Sequence, residues 1–302
     1  MNILVSGSSG LIGSELVLFL TTKGHKVTSL KRSKAGSRSK FREGEVYWNP
    51  DSSKVDVNGL EGHDAVVHLA GENIAGVWTK EKKDKIRKSR VDGTRLLSKS
   101  LSQVLKPPNV LVCASAIGIY GNRGDEILSE ESGAGKGFLA EVCREWEAAA
   151  EPAVQKGIRV VHLRFGLVLS PKGGALKTML VPFRMGVGGT IGSGKQYLSW
   201  VAIDDVAGII VHAITNENIK GPVNVVSPNP VTNNEFTKTL GRVLGRPTLL
   251  PVPAFALRLL AGEMADEMLL ASTRVHPGKL LSTGYEFRYP ELEGALRHLL
   301  GK

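Results

Sequence analysis

The chain has few cysteines and few aromatic residues. Its 302 residues include two cysteines, Cys113 and Cys143, and 6% aromatic side chains. Two cysteines are too few for a disulfide framework or a zinc site, and we interpret both as buried apolar residues. We therefore predict no metal centre. The low cysteine content also favours a reducing, cytoplasmic location.

Long apolar runs are absent as well. No stretch of the sequence approaches the ~20 apolar residues that a membrane-spanning helix needs. The first residues carry neither the basic flank nor the cleavage site of a signal peptide. With 42% hydrophobic residues, the composition is that of an ordinary globular protein with an ample core. The sequence therefore predicts no membrane partner.

Basic residues outnumber acidic ones, 39 to 29. The formal net charge is +10, and basic residues are concentrated at positions 31–42 and 80–95. Nucleic-acid-binding proteins share such a surplus, but the chain has no nucleic-acid-binding motif and few aromatic side chains to stack on bases. We expect the charge to serve an anionic cofactor and a small-molecule substrate rather than a nucleic acid.

The start of the chain holds the most informative pattern. The apolar run Ile3–Val5 predicts a buried strand, Gly7, Gly10 and Gly13 follow at intervals of three residues, and a helical pattern begins at Leu11. In a strand–turn–helix unit of this kind, small residues let backbone N–H groups approach a pyrophosphate, and the helix N-terminus favours negative charge. The alternative is a tight turn that only packs a helix on a sheet.

Apolar runs of strand length alternate with helical patterns as far as residue 170. This alternation predicts an α/β fold with a Rossmann-type doubly wound parallel sheet that is covered by helices on both faces. After the first strand and helix, the predicted strands are Lys26–Leu30, Glu45–Trp48, Ala65–Ala70, Val110–Ala114 and Arg159–Leu169, and the predicted helices are Thr79–Leu105 and Phe138–Lys156.

Glycine and proline become frequent after residue 170, and the pattern changes. A late strand is predicted at Pro222–Val226, and helices at 232–244 and 291–300. We expect an NADP-binding domain at 1–170 and a smaller, mixed C-terminal substrate lobe at 171–302 that is partly interleaved with the sheet domain. A ligand would lie between them, at the carboxyl ends of the strands.

The end of the second predicted strand distinguishes NADP from NAD. Folds that prefer NAD usually place Asp or Glu there to accept a hydrogen bond from the ribose 2′-hydroxyl. Here Lys31 and Arg32 stand at that position. An arginine fork suits a 2′-phosphate, so the sequence favours NADP. The alternative is a solvated basic turn, because the basic run continues to Arg42.

Three motifs resemble the extended short-chain dehydrogenase/reductases. They are the glycine turn, His68-Leu-Ala-Gly71 after one strand, and Ser115-x-x-x-x-Tyr120-Gly121 after the next. Further segments, Ala70–Ile74, Trp146–Ala150 and the glycine-rich stretch 186–194, resemble one atypical subfamily. Its members are called epimerase family proteins, have an NAD-dependent epimerase/dehydratase-like N-terminal domain and an uncharacterised C-terminal region, and are sometimes labelled cell-division inhibitors. The resemblance covers nearly the whole chain.

The resemblance implies a set of cofactor-binding positions. The glycine turn would hold the pyrophosphate, the two cations the 2′-phosphate, residues 69 and 70 the adenosine side, and residue 168 the nicotinamide. Arg90 stands where the wider family usually has Asn, which implies an added cofactor contact or, alternatively, a surface residue on a charged helix. The implied cofactor-binding residues are Gly7, Gly10, Leu11, Ile12, Gly13, Lys31, Arg32, Leu69, Ala70, Arg90 and Val168.

The chain lacks the catalytic Tyr and Lys that the resemblance would imply. Extended members use a Tyr and, four residues later, a Lys. The Lys lowers the pKa of the Tyr so that the Tyr can transfer a proton. In this chain Leu139 and Cys143 stand at those positions, and neither acts as a base. The substitutes near the expected nicotinamide are Ser115, Tyr120 and Glu72. Their alternatives are a turn cap, a packing aromatic residue and a loop carboxylate, respectively.

The second lobe and one strand add further candidates. Lys195, Gln196 and Trp200 follow the glycine-rich stretch, where epimerase-like folds admit the distal part of the substrate. They would bind an anionic or sugar-like group, or else form a surface loop with a core tryptophan. His68 lies inside an apolar strand and is interpreted as a core histidine.

Two functions follow from these observations. The first is an NADP-binding oxidoreductase or epimerase-like protein that lacks the Tyr-x-x-x-Lys pair. Its substrate would be a small polar molecule, for example one that resembles a nucleotide sugar. The alternative is a catalytically silent, NADP-dependent binding or regulatory protein.

Overall fold

A computed structural model describes residues 1–32 and 44–302. Its centre is an eight-stranded sheet in the order β12-β8-β6-β5-β1-β2-β3-β4. The strands of that sheet are β1 Asn2–Ser6, β2 Lys26–Arg32, β3 Glu45–Asn49, β4 Lys54–Val55, β5 Ala65–His68, β6 Val110–Ala116, β8 Arg159–Phe165 and β12 Gly221–Val225. The short strands beside it are β7 Ile127–Leu128, β9 Leu167–Leu169, β10 Tyr197–Leu198, β11 Trp200–Ala202, β13 Val231–Thr232 and β14 Arg274–Val275.

The strand order reverses beside β1. The chain runs from β1 to β2 and β3 on one side, then returns to β5 and continues to β6, β8 and β12 on the other. Neighbouring strands are parallel, except that β4 is antiparallel to β3. Such a switch point opens a crevice at the carboxyl ends of the two central strands, here β1 and β5. The predicted Rossmann-type doubly wound sheet is confirmed.

Helices cover both faces of the sheet. On one face Leu16 and Leu20 pack with Ile209 and Ile210, and on the other Leu97 and Ala153 share a second buried cluster. The helices are α1 Leu11–Thr22, α2 Lys80–Leu101, α3 Phe138–Ala148, α4 Glu151–Gln155, α5 Gly174–Arg184, α6 Ile203–Thr215, α7 Asn233–Leu244, α8 Ala254–Ala261, α9 Gly278–Ser282 and α10 Leu292–Leu300. Ala265–Leu269 forms a π-helical turn.

Two predicted elements are broken in the structure. The run 159–169 is one apolar strand in the sequence, but it divides at Gly166 into β8 and β9. A Cβ at Gly166 would lie 2.4 Å from the Ser199 carbonyl oxygen, so the chain bends there and β9 leaves the main sheet to pair with β11. The helix predicted at 138–156 divides into α3 and α4, and Pro152 stands in the first turn of α4, where its missing N–H is tolerated.

The C-terminal part has its own apolar cluster. Leu176 of α5, Phe236 of α7 and Leu296 of α10 are buried together around Trp200. Between these elements, α6 and β12 return to the main sheet. The boundary at residue 170 stays a prediction. In the ranges that the structure describes, no helix is both long and apolar enough to cross a membrane.

Candidate functional site

The glycine turn lies at the carboxyl end of β1 and is too tight for any other residue at two positions. Gly7 has φ +67°, and a Cβ there would lie 2.8 Å from the backbone of Leu69. A Cβ at Gly13 would lie 2.1 Å from the Gly7 carbonyl oxygen. The missing side chains therefore bring the turn, the start of α1 and the end of β5 into direct contact.

The N-terminus of α1 has no side chain to cap it. Gly10 is the N-cap residue, no side chain accepts from the first amides, and the first turn contains no acidic residue. Helix N-termini with free backbone donors attract anions through both hydrogen bonds and the helix dipole. The side chain of Leu11, in this first turn, packs against residues 173 and 174, which follow β9. A Cβ at Gly173 would lie 3.2 Å from it. Ser9 and Gly10 are exposed, so an anion such as a diphosphate can reach the turn.

Ser6 and His68 support the floor of this crevice. The Ser6 hydroxyl accepts from the amides of Leu69 and Ala70 at 3.1 and 3.3 Å, and it lies 2.6 Å from Nδ1 of His68. One hydrogen bond therefore joins the two side chains, while Nε2 of His68 is buried and has no hydrogen-bond partner among the described residues. His68 is fully buried, and its ring meets Trp48 edge to face. Sequence reasoning identified the core histidine but not this bond to the turn.

The pH dependence of unfolding tests the state of His68. Burial lowers the pKa of His68 from 6.5 to about 4. The unfolded chain therefore takes up the proton first, so stability is full above about pH 6.5 and falls as the pH drops toward 4. The expected loss from this one group is about 3 kcal/mol. Urea unfolding at pH 7.5 and 4.5 measures it, and His68→Asn should reduce the difference. An unchanged pH dependence in that variant would contradict the assignment.

The predicted phosphate-binding cations stand at the end of β2. Arg32 is the last residue of that strand and is exposed, and Lys31 precedes it half-buried. The rest of the predicted basic run lies outside the described residues, namely Lys34, Arg38, Lys40 and Arg42.

Glu72 lies close to the same cations. Its carboxylate is 39% exposed and binds the Lys82 ammonium at 2.9 Å. The hydrogen bond from Lys82 lowers the pKa of Glu72, and the charges of Lys85 and Arg32 add to that effect. Glu72 is therefore an ionised carboxylate at neutral pH, which can accept a proton but has none to donate.

Arg90 of α2 points into the region between α2, α3 and the end of β5. Its Nη1 donates to the carbonyl oxygens of Glu72 and Ile86, and its guanidinium lies 5.1 Å from the centre of the Trp146 ring. A Cβ at Gly71 would lie 3.6 Å from the Arg90 guanidinium carbon. A cation therefore lies beside residues 71 and 72, directly after the two positions where the sequence predicts the cofactor.

The two positions of the missing pair hold a half-buried leucine and a buried cysteine. Leu139 packs against Gly118, where a Cβ would lie 3.2 Å from the leucine Cβ. Burial raises the pKa of the Cys143 thiol to about 12, so it stays protonated. Neither side chain can act as a base in this state.

Ser115 is part of a buried polar network. Its hydroxyl donates to Oε1 of Glu147 at 2.7 Å, and Arg164 donates to both carboxylate oxygens of Glu147 at 2.9 Å. Burial raises the pKa of Glu147, but the hydrogen bonds and charge of Arg164 outweigh it, and the net pKa is lowered. Ser115 and Arg164 are paired in register on β6 and β8. Sequence reasoning missed this network, although a charged Arg164 inside an apolar strand indicates a buried partner.

Tyr120 belongs to the same network. Its hydroxyl donates to Oδ1 of Asn224 at 2.7 Å and receives a bond from Arg164 at 2.9 Å. The side chain is fully buried, and burial raises its pKa. Its proton is therefore already engaged within the protein.

The second-lobe candidates separate into different environments. Lys195 is exposed, whereas Gln196 is 6% exposed and donates to two backbone carbonyls. Trp200 is fully buried, and its Nε1 donates to the carbonyl of Asn229. The structure does not bring these three side chains together on one surface. Within the described ranges, no cluster of His, Cys, Asp and Glu is arranged to hold a metal ion.

A doubly wound sheet with a glycine turn at its switch point defines a Rossmann-type fold, and comparison with known proteins places it further. Residues 3–226 match the NAD dependent epimerase/dehydratase family, and residues 252–299 match a domain of unknown function, DUF1731. The chain belongs to the NAD dependent epimerase/dehydratase family, as the resemblance in its sequence indicated.

Relatives of similar length support that assignment. An epimerase family protein of Mycobacterium bovis is 42% identical over 293 residues, which cover 97% of this chain and 95% of that protein. A crystal structure of human epimerase family protein SDR39U1 with NADPH is 35% identical, with a TM-score of 0.90 and full coverage of both chains. A UDP-glucose 4-epimerase of Thermus thermophilus in complex with NAD shares the fold, at 21% identity, a TM-score of 0.76, and coverage of 100% of this chain and 99% of that one.

Proposed function

We propose that the protein binds NADP(H) in the crevice above β1 and β5 and acts as an oxidoreductase or epimerase-like enzyme on a small polar substrate. The observation that carries the proposal is the close contact of Gly7 and Gly13 around an uncapped helix N-terminus. A side chain at either position would collide with the backbone of the turn or of Leu69, so only glycine lets this turn present the N-terminus of α1 to a diphosphate. The NADPH in the structure of the human relative supports the same cofactor.

The remaining cofactor contacts are proposed from the sequence and supported by their positions. The amides of Leu11, Ile12 and Gly13 in the first turn of α1 would hold the pyrophosphate with Gly10, and Lys31 and Arg32 would hold the 2′-phosphate. Leu69 and Ala70 would line the adenosine side, with Arg90 beside the next two residues and Val168 near the nicotinamide. When bound, the cofactor supplies or accepts a hydride.

Proton transfer has three candidates, which stay predictions. Glu72 has an accessible, ionised carboxylate that can accept a proton, but its pairing with Lys82 lowers its pKa and makes it a weak base. Ser115 keeps its oxygen available as an acceptor while its proton is donated to Glu147. Tyr120 would have to exchange its bond to Asn224 for a substrate. We propose Glu72 as the first to substitute, with Glu72→Gln expected to lower turnover while leaving NADPH affinity within about twofold.

Two measurements test the proposed function. Calorimetric titration with NADPH and with NADH reports cofactor choice, and binding to neither would contradict the proposal. Stopped-flow absorbance of the reduced nicotinamide, over a panel of small carbonyl compounds and sugar derivatives, reports hydride transfer. The cytoplasmic location predicted from the cysteine content stays a prediction.

Arg32→Ala is expected to weaken NADPH binding about 10- to 100-fold and to leave NADH binding nearly unchanged. The reason is that a charge-assisted hydrogen bond contributes about 1.5–3 kcal/mol, and only NADPH carries the 2′-phosphate. Lys26→Ala, at the opposite end of β2, is the matched control and should leave both affinities unchanged. An equal loss for NADPH and NADH would contradict the role of Arg32.

A regulatory function is the second candidate, and the apolar residues at the catalytic pair favour it. Leu139 and Cys143 remove the family's proton-transfer groups, while the features proposed to bind the cofactor are retained. A protein of this kind would present its NADP occupancy to a partner. Affinity capture with and without NADPH separates the two candidates, since identical partner lists would contradict a regulatory function.

A further inference from the structure

One segment of the C-terminal part lies directly on the glycine-rich stretch. We call residues 250–270 the strap. The Val252 amide donates to the Thr190 carbonyl at 2.8 Å, and the Gly192 amide donates to the Val252 carbonyl at 2.9 Å. A Cβ at Gly189 would lie 1.5 Å from the Leu250 carbonyl oxygen. Backbone meets backbone here, with no room for a ligand between them.

Side chains also join the strap to the glycine-rich stretch, near the end of the strap. Gln196 is 6% exposed, and its Nε2 donates to the carbonyls of Ile191 and Leu269 at 3.0 and 3.2 Å. Leu270 lies 3.0 Å from the position of a Cβ at Gly192. Gln196 was predicted to meet the distal part of a substrate, but its amide donates to carbonyls of this chain.

Glu267 joins the strap to the start of α3. The two carboxylate oxygens of Glu267 accept from the amides of Phe138 and Leu139 at 2.7 and 2.8 Å. Gly137 has φ +106°, and a Cβ there would lie 2.6 Å from Oε1 of Glu267. An ion pair also joins Glu263 to Lys83 of α2 at 2.8 Å. The strap therefore spans from the glycine-rich stretch to the start of α3, which carries one position of the missing catalytic pair.

We propose that the strap occupies the distal half of the substrate cleft and limits the protein to small polar substrates without an attached nucleotide. The inference rests on the proposed function, because it concerns the cleft next to the proposed NADP site. Sugar-nucleotide enzymes of this fold need space for the nucleotide beyond the reacting sugar. In this chain the strap takes the place of that distal portion, and Gln196, Glu267 and Leu270 are the residues that hold it there.

Ligand binding tests the proposal directly. NADPH is first titrated alone, so that failure of the proposed function is recognised separately. UDP and UDP-glucose are then titrated into the NADPH-loaded protein, and we expect no saturable binding up to about 1 mM. Saturable binding of UDP or UDP-glucose to the NADPH-loaded protein below that concentration would overturn the proposal.

Hydrogen exchange tests the strap without any ligand. Four amides should exchange slowly in the free protein, because each donates to a partner in another segment. Gly192 and Val252 join the strap to the glycine-rich stretch, and Phe138 and Leu139 donate to Glu267. Glu267→Ala should speed exchange at Phe138 and Leu139 by about tenfold or more, whereas Glu263→Ala, which removes only an exposed ion pair, should not. If Glu267→Ala fails to fold, Glu267→Gln replaces it, with an increase expected in the same direction. Unprotected Gly192 and Val252 amides in the wild-type protein would overturn the proposal.

Discussion

Replacing Gly13 with alanine is expected to abolish measurable NADPH binding, with an affinity loss of at least about 100-fold. The new Cβ would lie 2.1 Å from the Gly7 carbonyl oxygen, far closer than a Cβ comes to a non-bonded atom. The turn and the start of α1 must then separate, and the backbone donors no longer converge on the diphosphate. Loss of two charge-assisted hydrogen bonds, at about 1.5 kcal/mol each, accounts for that factor. Calorimetric titration measures it.

The same substitution at another glycine provides the control. A Cβ at Gly133 meets no atom within 4 Å, so Gly133→Ala should bind NADPH like the wild-type protein. Thermal unfolding of both variants separates lost binding from lost folding. A Gly13→Ala protein that folds but no longer binds NADPH would support a diphosphate site on the glycine turn. Wild-type affinity in Gly13→Ala would show that the diphosphate does not lie on this turn.

Local patterns in the sequence were enough to predict the centre of the fold. A parallel strand that is buried on both faces appears as a continuous apolar run, and the helix after it shows its own period. Ile3–Val5, Ala65–Ala70 and Val110–Ala114 were predicted in this way, and they correspond to β1, β5 and β6, although β5 ends at His68. The strand order, and with it the crevice above β1 and β5, came only from the structure. The turn between β1 and α1 was predicted as well, because only glycines fit there.

Contacts between distant segments could not be predicted. The run 159–169 bends at Gly166 because Ser199 and Val226 occupy the space beside it, and both lie far along the chain. The network of Ser115, Glu147 and Arg164 depends on the register of β6 against β8 and on the rotation of α3. Composition and periodicity carry no information about either.

Breaking the Glu147–Arg164 pair is expected to cost about 3 kcal/mol of unfolding free energy, because Glu147→Gln leaves a buried guanidinium without its counter-charge. The side chains of Arg164 and Glu147 are 8% and 14% exposed, so water does little to replace the lost partner. Arg164 also donates to Tyr120, and the loss should therefore spread to the contact between β8 and β12. Urea unfolding at pH 7.5 measures the effect.

The pH dependence gives a second, independent readout of the same pair. The net pKa of Glu147 is lowered in the folded protein, so its stabilisation is present above the unfolded value of about 4.3 and is lost as the pH falls through the folded pKa. Glu147→Gln should therefore reduce the acid sensitivity of unfolding. Glu141→Gln is the matched control on the same helix, because Glu141 is 53% exposed in its pair with Arg87 and should contribute less than about 1 kcal/mol. Equal destabilisation by the two variants would mean that burial of the Glu147–Arg164 pair does not strengthen it.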